Sequence, residues 1–263
     1  MTKIPIVMTF SGHDPSGGAG IQADIESLAS LGCRAAPVIT ALTIQDTRDV
    51  LESTPLSAAQ VTAQARAVLA DLPVSAFKIG MLGSAENAAA IDAILQDYPD
   101  LPMVLDPVLA SGSGTALGKD DLLASLRSML VPRATVVTPN SLEARTLAAH
   151  NGSLDDCALA LLEQGADYVL ITGTHEKTTH VINTLYHEQQ LLESFTWDRL
   201  AHSYHGSGCT LAAAIAGLLA HGLDPFQAVH EAQEFTWNAL RQGDRPGKGQ
   251  YLPDRLFWTR QDD

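Results

Sequence analysis

The order of the hydrophobic segments constrains this chain most: short β-rich runs alternate with stretches of helical periodicity through most of its length. Residues 4–10 read as a first strand. A Gly-rich turn and a helix at 20–31 follow, and 38–39 close a second short strand. Within 57–72, Val61, Ala65, Val68 and Leu69 recur at spacings of three and four, the mark of a helix with one apolar face. Further strands are expected at 76–79, 103–105, 135–137 and 168–172, with helices at 85–95 and 122–130. Another helix starts at Ser153, with Asp156 as its capping partner. Such βα repetition predicts a mostly parallel central sheet with helices on both faces. The rhythm breaks at 181–186 and 191–196, which flank His187-Glu188-Gln189-Gln190 and predict a late β-hairpin. Helices at 208–221 and 225–241 follow. No linker, low-complexity tract or repeat interrupts the pattern, so residues 1–263 read as a single α/β domain.

Charge and cysteine content narrow the function. Sixteen Lys and Arg stand against 30 Asp and Glu, a formal net charge of -14. No basic cluster offers a footprint for nucleic acid. The longest strictly apolar run, 211–220, is half of the roughly 20 residues a membrane span needs. The first ten residues carry only Lys3 and run directly into Ser11-Gly12-His13-Asp14, which is not a signal-peptide layout. Three cysteines, Cys33, Cys157 and Cys209, argue against a disulfide scaffold and for a reducing cytoplasm. Several enzyme signatures are absent: the dinucleotide fingerprint, the Walker loop and the nucleophile elbow. His175-Glu176 with His180 has the wrong spacing for a helical zinc site.

Four segments could carry chemistry. The first runs from Ser11 to Asp24, where glycines between a strand and a helix allow close backbone approach and Asp24 sits in the first helical turns. It reads equally as a plain connection with a favourable first-turn charge. The second is His205-Gly206-Ser207-Gly208-Cys209-Thr210, ahead of a long apolar helix. Unpaired N–H groups at a helix start bind anions without basic side chains, and the helix end would lower the pKa of the Cys209 thiol. The plainer reading is a small buried Cys on a tightly packed helix. The third is Thr138-Pro139-Asn140 with Glu143: a helix cap, a pair acting on hydrated Mg²⁺, or both. The fourth is a set of strand ends: Thr40 to Gln45, Lys78 to Leu82, Asp106-Pro107-Val108, and Thr172 to His175. Polar groups gathered there suit a crevice at the carboxyl edge of a sheet. Met81 alone would be an ordinary core residue.

Taken together, the segments resemble the ribokinase-like superfamily, and within it the hydroxymethylpyrimidine/phosphomethylpyrimidine kinases of thiamine biosynthesis. Gly12-His13-Asp14-Pro15-Ser16-Gly17-Gly18-Ala19-Gly20-Ile21-Gln22-Ala23-Asp24 looks like that family's opening signature. The runs at 38–45, 78–82, 106–108, 138–143 and 206–210 match in the same order. The resemblance implies a ribokinase-like fold and ATP-dependent phosphorylation of a small pyrimidine alcohol, then of its monophosphate. It implies an anion hole at Gly206, Ser207 and Gly208, with Cys209 as base. It also implies a pyrimidine pocket of Gly12, Asp24, Gln45 and Met81, with Gly173 and Gly208 at ATP and Asn140 and Glu143 acting on Mg²⁺. A homodimer is implied as well. Two stretches depart from the family form, 109–115 and Pro246-Gly247-Lys248-Gly249-Gln250. A pyridoxal or pyridoxine kinase of the same superfamily is the rival enzyme, and a non-catalytic pyrimidine-binding protein is the rival from another class.

Overall fold

The structure is a computed structural model that describes residues 3–109, 120–150 and 152–259. In chain order the elements are β1 (Ile6–His13), α1 (Gly20–Ser30), β2 (Arg34–Gln45), β3 (Val50–Pro55), α2 (Ala58–Leu69), β4 (Ala76–Ile79), α3 (Ala85–Leu95), β5 (Met103–Leu105), α4 (Asp120–Ser125), β6 (Val136–Val137), α5 (Ser141–Ala148), α6 (Leu154–Glu163), β7 (Tyr168–Ile171), β8 (His180–His187), β9 (Gln190–Asp198), α7 (Ser207–Ala220) and α8 (Pro225–Arg241). Among the described residues nine strands form one sheet in the order β3-β2-β1-β4-β5-β6-β7-β8-β9. Neighbours from β2 to β7 run parallel, while β3, β8 and β9 pair antiparallel.

Alternation along the strands explains the two-faced burial. Met8, Phe10, Phe77, Ile79, Met103, Leu105, Val137, Val169 and Ile171 pack with α2, α3, α5 and α6. The intervening Val7, Ala76, Val104, Val136 and Leu170 pack with α1, α7 and α8 on the other face. A strand's period of two makes this division, and both faces are closed because a parallel sheet has no polar side. Helix α7 lies close to the sheet because Ala212, Ala213, Ala214 and Ala216 are fully buried and small. Serine caps with reciprocal partners start α2 at Ser57/Gln60 and α6 at Ser153/Asp156.

Three expectations need correction. The second strand does not close at residue 39 but runs to Gln45, because its second half pairs with β3. That edge strand, Val-Leu-Glu-Ser-Thr-Pro, is exposed or half-exposed throughout and so carries no apolar alternation to read. The helix expected at 122–130 starts at Asp120 and loosens into a wider π-type turn over Leu126–Leu130. The first strand runs past Phe10 through Ser11-Gly12-His13, since the backbone pairing with β2 continues after the apolar run stops. The hairpin forms as expected, turning at Glu188 and Gln189, both with positive φ. Of the departing segment 109–115, only Leu109 lies within the described residues.

Candidate active site

The loops that leave β1, β4, β5, β6 and β7 share the carboxyl edge of the parallel sheet, where α/β folds bind ligands. After β1, the buried Asp14 carboxylate accepts N–H bonds from Ser16 at 2.8 Å and Ala19 at 2.8 Å, which folds the Gly-rich turn back on itself. The start of α1 then presses on β1: a Cβ at Gly20, where φ is +59°, would overlap the Gly12 carbonyl. Asp24 comes one turn later and is fully buried.

The second glycine loop meets the first. Gly206 caps α7 with φ 81°, and a Cβ there would overlap the Gly18 carbonyl. The first bond of the helix runs from Thr210 N to Gly206 O at 2.9 Å. The amides of Ser207, Gly208 and Cys209 therefore precede the helical ladder, the arrangement by which a helix start can bind an anion. Asp106, just past β5, faces this helix start, since a Cβ at Gly208 would stand 3.8 Å from its Oδ1.

Beneath that helix start lies a charged cluster. Lys78 Nζ is 2.9 Å from Asp24 Oδ1 and donates to Ser11 Oγ at 3.0 Å, and both Lys78 and Asp24 are wholly buried. Burial opposes the ammonium, but the charges of Asp24 and Asp106 around it outweigh that and hold Lys78 protonated. Burial pushes Asp106 above the usual carboxylate range, with Asp24 adding to the effect, although Lys78 and a hydrogen bond from the Cys209 thiol act the other way.

Here the helix-end argument for Cys209 is corrected. Burial pushes its thiol up to about 12; Lys78 and the Gly20 N–H lower it, but Asp106 and Asp24 reinforce the rise. Desolvation and two carboxylates outweigh Lys78 and the Gly20 N–H, which favours a neutral thiol at rest.

The other expected residues divide. Gly12 and Met81 do meet: a Cβ at Gly12 would lie 2.9 Å from Met81 Sδ. Gln45 is fixed by contacts of its own, its amide Nε2 donating to Thr43 Oγ1 at 2.7 Å while Thr43 in turn donates to the His13 carbonyl at 2.8 Å. Asn140 and Glu143 form a reciprocal cap on α5: Asn140 Oδ1 accepts from Glu143 N at 3.0 Å and Glu143 Oε2 from Asn140 N at 2.9 Å. Gly173 adjoins this cap, because Thr172 bridges to Asn140. Its own N–H is used by Asn183 Oδ1 at 3.1 Å, and Ile182 crowds it too closely for any side chain.

These residues fit a hydrated cation. Burial, reinforced by the charge of Asp106, pushes Glu143 up to about 8. A carboxyl raised by burial and by a neighbouring carboxylate is one that a divalent ion would favour in its ionised form. No group of three metal-binding side chains converges among the described residues. Mg²⁺, which keeps several of its waters, does not require one.

The family model for phosphomethylpyrimidine kinase matches residues 14–254. The chain belongs to that family. A hydroxymethylpyrimidine/phosphomethylpyrimidine kinase of Rhizobium meliloti is 39% identical over 250 residues, covering 93% of this chain and 94% of the relative. Among solved structures, phosphomethylpyrimidine kinase from Clostridium difficile superposes with a TM-score of 0.77 at 33% identity, over 89% of this chain and 98% of that one. Pyridoxal kinase from Staphylococcus aureus, in complex with AMP-PCP and pyridoxal, superposes with a TM-score of 0.87 at 28% identity, over 98% and 96%. The ribokinase-like fold is common to both activities, so it is the site that must separate them.

Within this family member, five further residues shape the site without a role that the sequence alone assigns them. Lys78 was visible as a charge inside the short apolar strand Ala76-Phe77-Lys78-Ile79. Asp106 reads in the sequence only as a strand end. His205 and Asp14 form a 2.8 Å pair between the glycine loops that no local pattern signals. Arg255, 2% exposed, donates to Thr210 Oγ1 and Glu26 at 2.9 Å each and also reaches the Gly18 carbonyl, binding the C-terminal segment to both loops.

Proposed function

We propose that this chain phosphorylates 4-amino-5-hydroxymethyl-2-methylpyrimidine with ATP, and then phosphorylates the monophosphate to the diphosphate, as a hydroxymethylpyrimidine/phosphomethylpyrimidine kinase of thiamine biosynthesis. The observation that carries this reading is the convergence of Cys209, Asp106 and Asp24 at the start of α7. Phosphoryl transfer needs positioning and charge neutralisation more than covalent chemistry. The amides of Ser207, Gly208 and Cys209 would hold the transferring phosphoryl oxygens, with Gly173 bordering the nucleotide.

As the substrate oxygen bonds to the γ-phosphorus and the bond to ADP breaks, the hydroxyl loses its proton. A neutral thiol can accept that proton only by giving up its own. Asp106, which takes the hydrogen bond from Cys209, is the acceptor in place. Its raised affinity for protons suits that role. Asn140 and Glu143 would hold Mg²⁺ through water, and the ion would neutralise charge on the phosphates. Gly12, Asp24, Gln45 and Met81 would surround the ring.

Pyridoxal phosphorylation is the competing activity, because the S. aureus structural neighbour binds pyridoxal. ADP release measured with each vitamer, followed by mass spectrometry of the products at exhaustive ATP, tests the assignment. We expect the diphosphate of the aminopyrimidine. Monophosphate alone would leave a single-step kinase, and a preference for pyridoxine would overturn the substrate. Cys33, Cys157 and Cys209 are all free thiols, and no helix among the described residues is long and apolar enough to cross a membrane. Both suit action in the cytoplasm. A homodimer follows from the family resemblance alone, and light scattering of the purified protein tests it.

A further inference from the structure

We propose that Lys78 is a positioning residue of this reaction: a fixed buried cation that acts on Cys209 and Asp106 as well as on its partner Asp24, and so sets how readily the thiol gives up its proton. The inference rests on the kinase reading above.

Three elements converge on the ammonium. Lys78 lies on β4, paired across the sheet with Thr9 and Val104, on the face covered by α1 and α7. Asp24 comes from α1, 2.9 Å away, and Ser11 from the end of β1, 3.0 Å away. Gly80 leaves it room, since a Cβ there would stand 2.6 Å from Nζ.

Simple pairing does not account for this arrangement. A buried ion pair contributes little net stability compared with apolar side chains of the same volume. The pair is also not closed on itself. Asp24 Oδ2 has no hydrogen-bond partner among the described residues, nor does Asp106 Oδ2. The groups facing the thiol are Lys78 from β4, Asp106 from the end of β5, Asp24 from α1 and the Gly20 N–H. Lys78 is the only cation among them. It also opposes the upward shift of Asp106. Without it, no cation among these groups would face the thiol beside Asp106 and Asp24.

The test separates a counter-ion for Asp24 from a cation that acts on the thiol. In Asp24→Asn, Cys209 loses a carboxylate that raises it and Lys78 loses its closest negative partner, and both changes favour the thiolate. Peptide-resolved alkylation of Cys209 by iodoacetamide should then begin at lower pH, by on the order of one unit. In Lys78→Met with Asp24→Asn, which leaves no unpaired buried charge from that pair, the onset should move above that of Asp24→Asn alone. The kcat should fall at least ~10-fold below Asp24→Asn, with its rising pH limb moved the same way. An unmoved onset in Asp24→Asn overturns the proposal, even if the double variant does not fold. Equal kcat and equal alkylation profiles in Asp24→Asn and the double variant reduce Lys78 to a structural counter-ion. Alkylation needs no substrate, so it reports on Lys78 whatever the turnover assay says about the kinase reading.

Discussion

His205 Nε2 lies 2.8 Å from Asp14 Oδ2, and this contact ties together two glycine loops 191 residues apart in the chain. Asp14 also accepts from Ser16 and Ala19, so one carboxylate orders the turn after β1 and anchors the loop that starts α7. Although burial raises its pKa, the bonds from His205 and Ser16 more than compensate and leave it below the usual value. The stability it contributes is therefore present above the unfolded pKa near 3.8 and is lost as pH falls through the lower folded value. Asp14→Asn keeps the shape but leaves one oxygen to serve donors on both sides. We expect a loss of about 1–3 kcal/mol in urea unfolding at pH 7. The difference from wild type should shrink as the pH approaches 3. A constant difference across that range would separate the effect from the carboxylate charge.

Cys209→Ala should lower kcat by on the order of 10²–10⁴, the span of general acid–base catalysis, with little change in KM for ATP. Near wild-type kcat in a folded variant would remove Cys209 from the chemistry. Asp106→Asn should fall in the same range, because the amide cannot take the thiol proton.

The raised thiol makes a separate prediction. With a pKa of about 12, Cys209 is almost wholly protonated at pH 7.5. Iodoacetamide should modify it on the order of 10³-fold more slowly than an ordinary thiol of pKa about 8.5. The same shift has a consequence for stability. A folded pKa above the unfolded value stabilises fully below the unfolded pKa, and that contribution is lost as pH rises through the folded one. The protein should therefore lose stability between about pH 9 and 12, and Cys209→Ala should lose less over that window.

The cap at Asn140 separates a structural from a metal role for Glu143. A glutamine at the third helical position still accepts the cap N–H. Glu143→Gln should thus melt near the wild-type temperature while needing more Mg²⁺ for half-maximal rate. Full activity in excess chelator would sink the cation reading, and an unchanged Mg²⁺ requirement would take Glu143 out of it.

Much of this site was legible in the sequence because it is written in backbone. Gly20 and Gly206 are places where a Cβ would collide with another loop's carbonyl, and such positions leave glycines that a reader can see. The parallel core was legible because alternate strand residues feed opposite faces. Edge strand β3 was not, since its side chains are exposed and follow no period. The reversal at Cys209 was also beyond local reading. Its thiol answers to burial and to Asp106 and Asp24, which the topology brings in from β5 and α1 and which no local pattern reveals.

Ring selectivity gives the last prediction. Gln45 Nε2 already donates to Thr43 Oγ1 at 2.7 Å, and Thr43 donates onward to the His13 carbonyl. That chain fixes the carboxamide from one side, so an aminopyrimidine with an exocyclic N–H beside a ring nitrogen meets a group held in place rather than a free rotor. Pyridoxine lacks that donor and acceptor pair, and a site built around it loses affinity for analogues that leave its polar groups unpaired. We expect a higher kcat/KM for the aminopyrimidine than for pyridoxine. Gln45→Ala should narrow the gap by about 10-fold, the size of one lost neutral hydrogen bond. Thr43→Val should narrow it less, because it frees the carboxamide without removing it. If both substrates lose equally in Gln45→Ala, the side chain only braces the end of β2, and the selectivity must come from Met81 and the walls of the ring pocket.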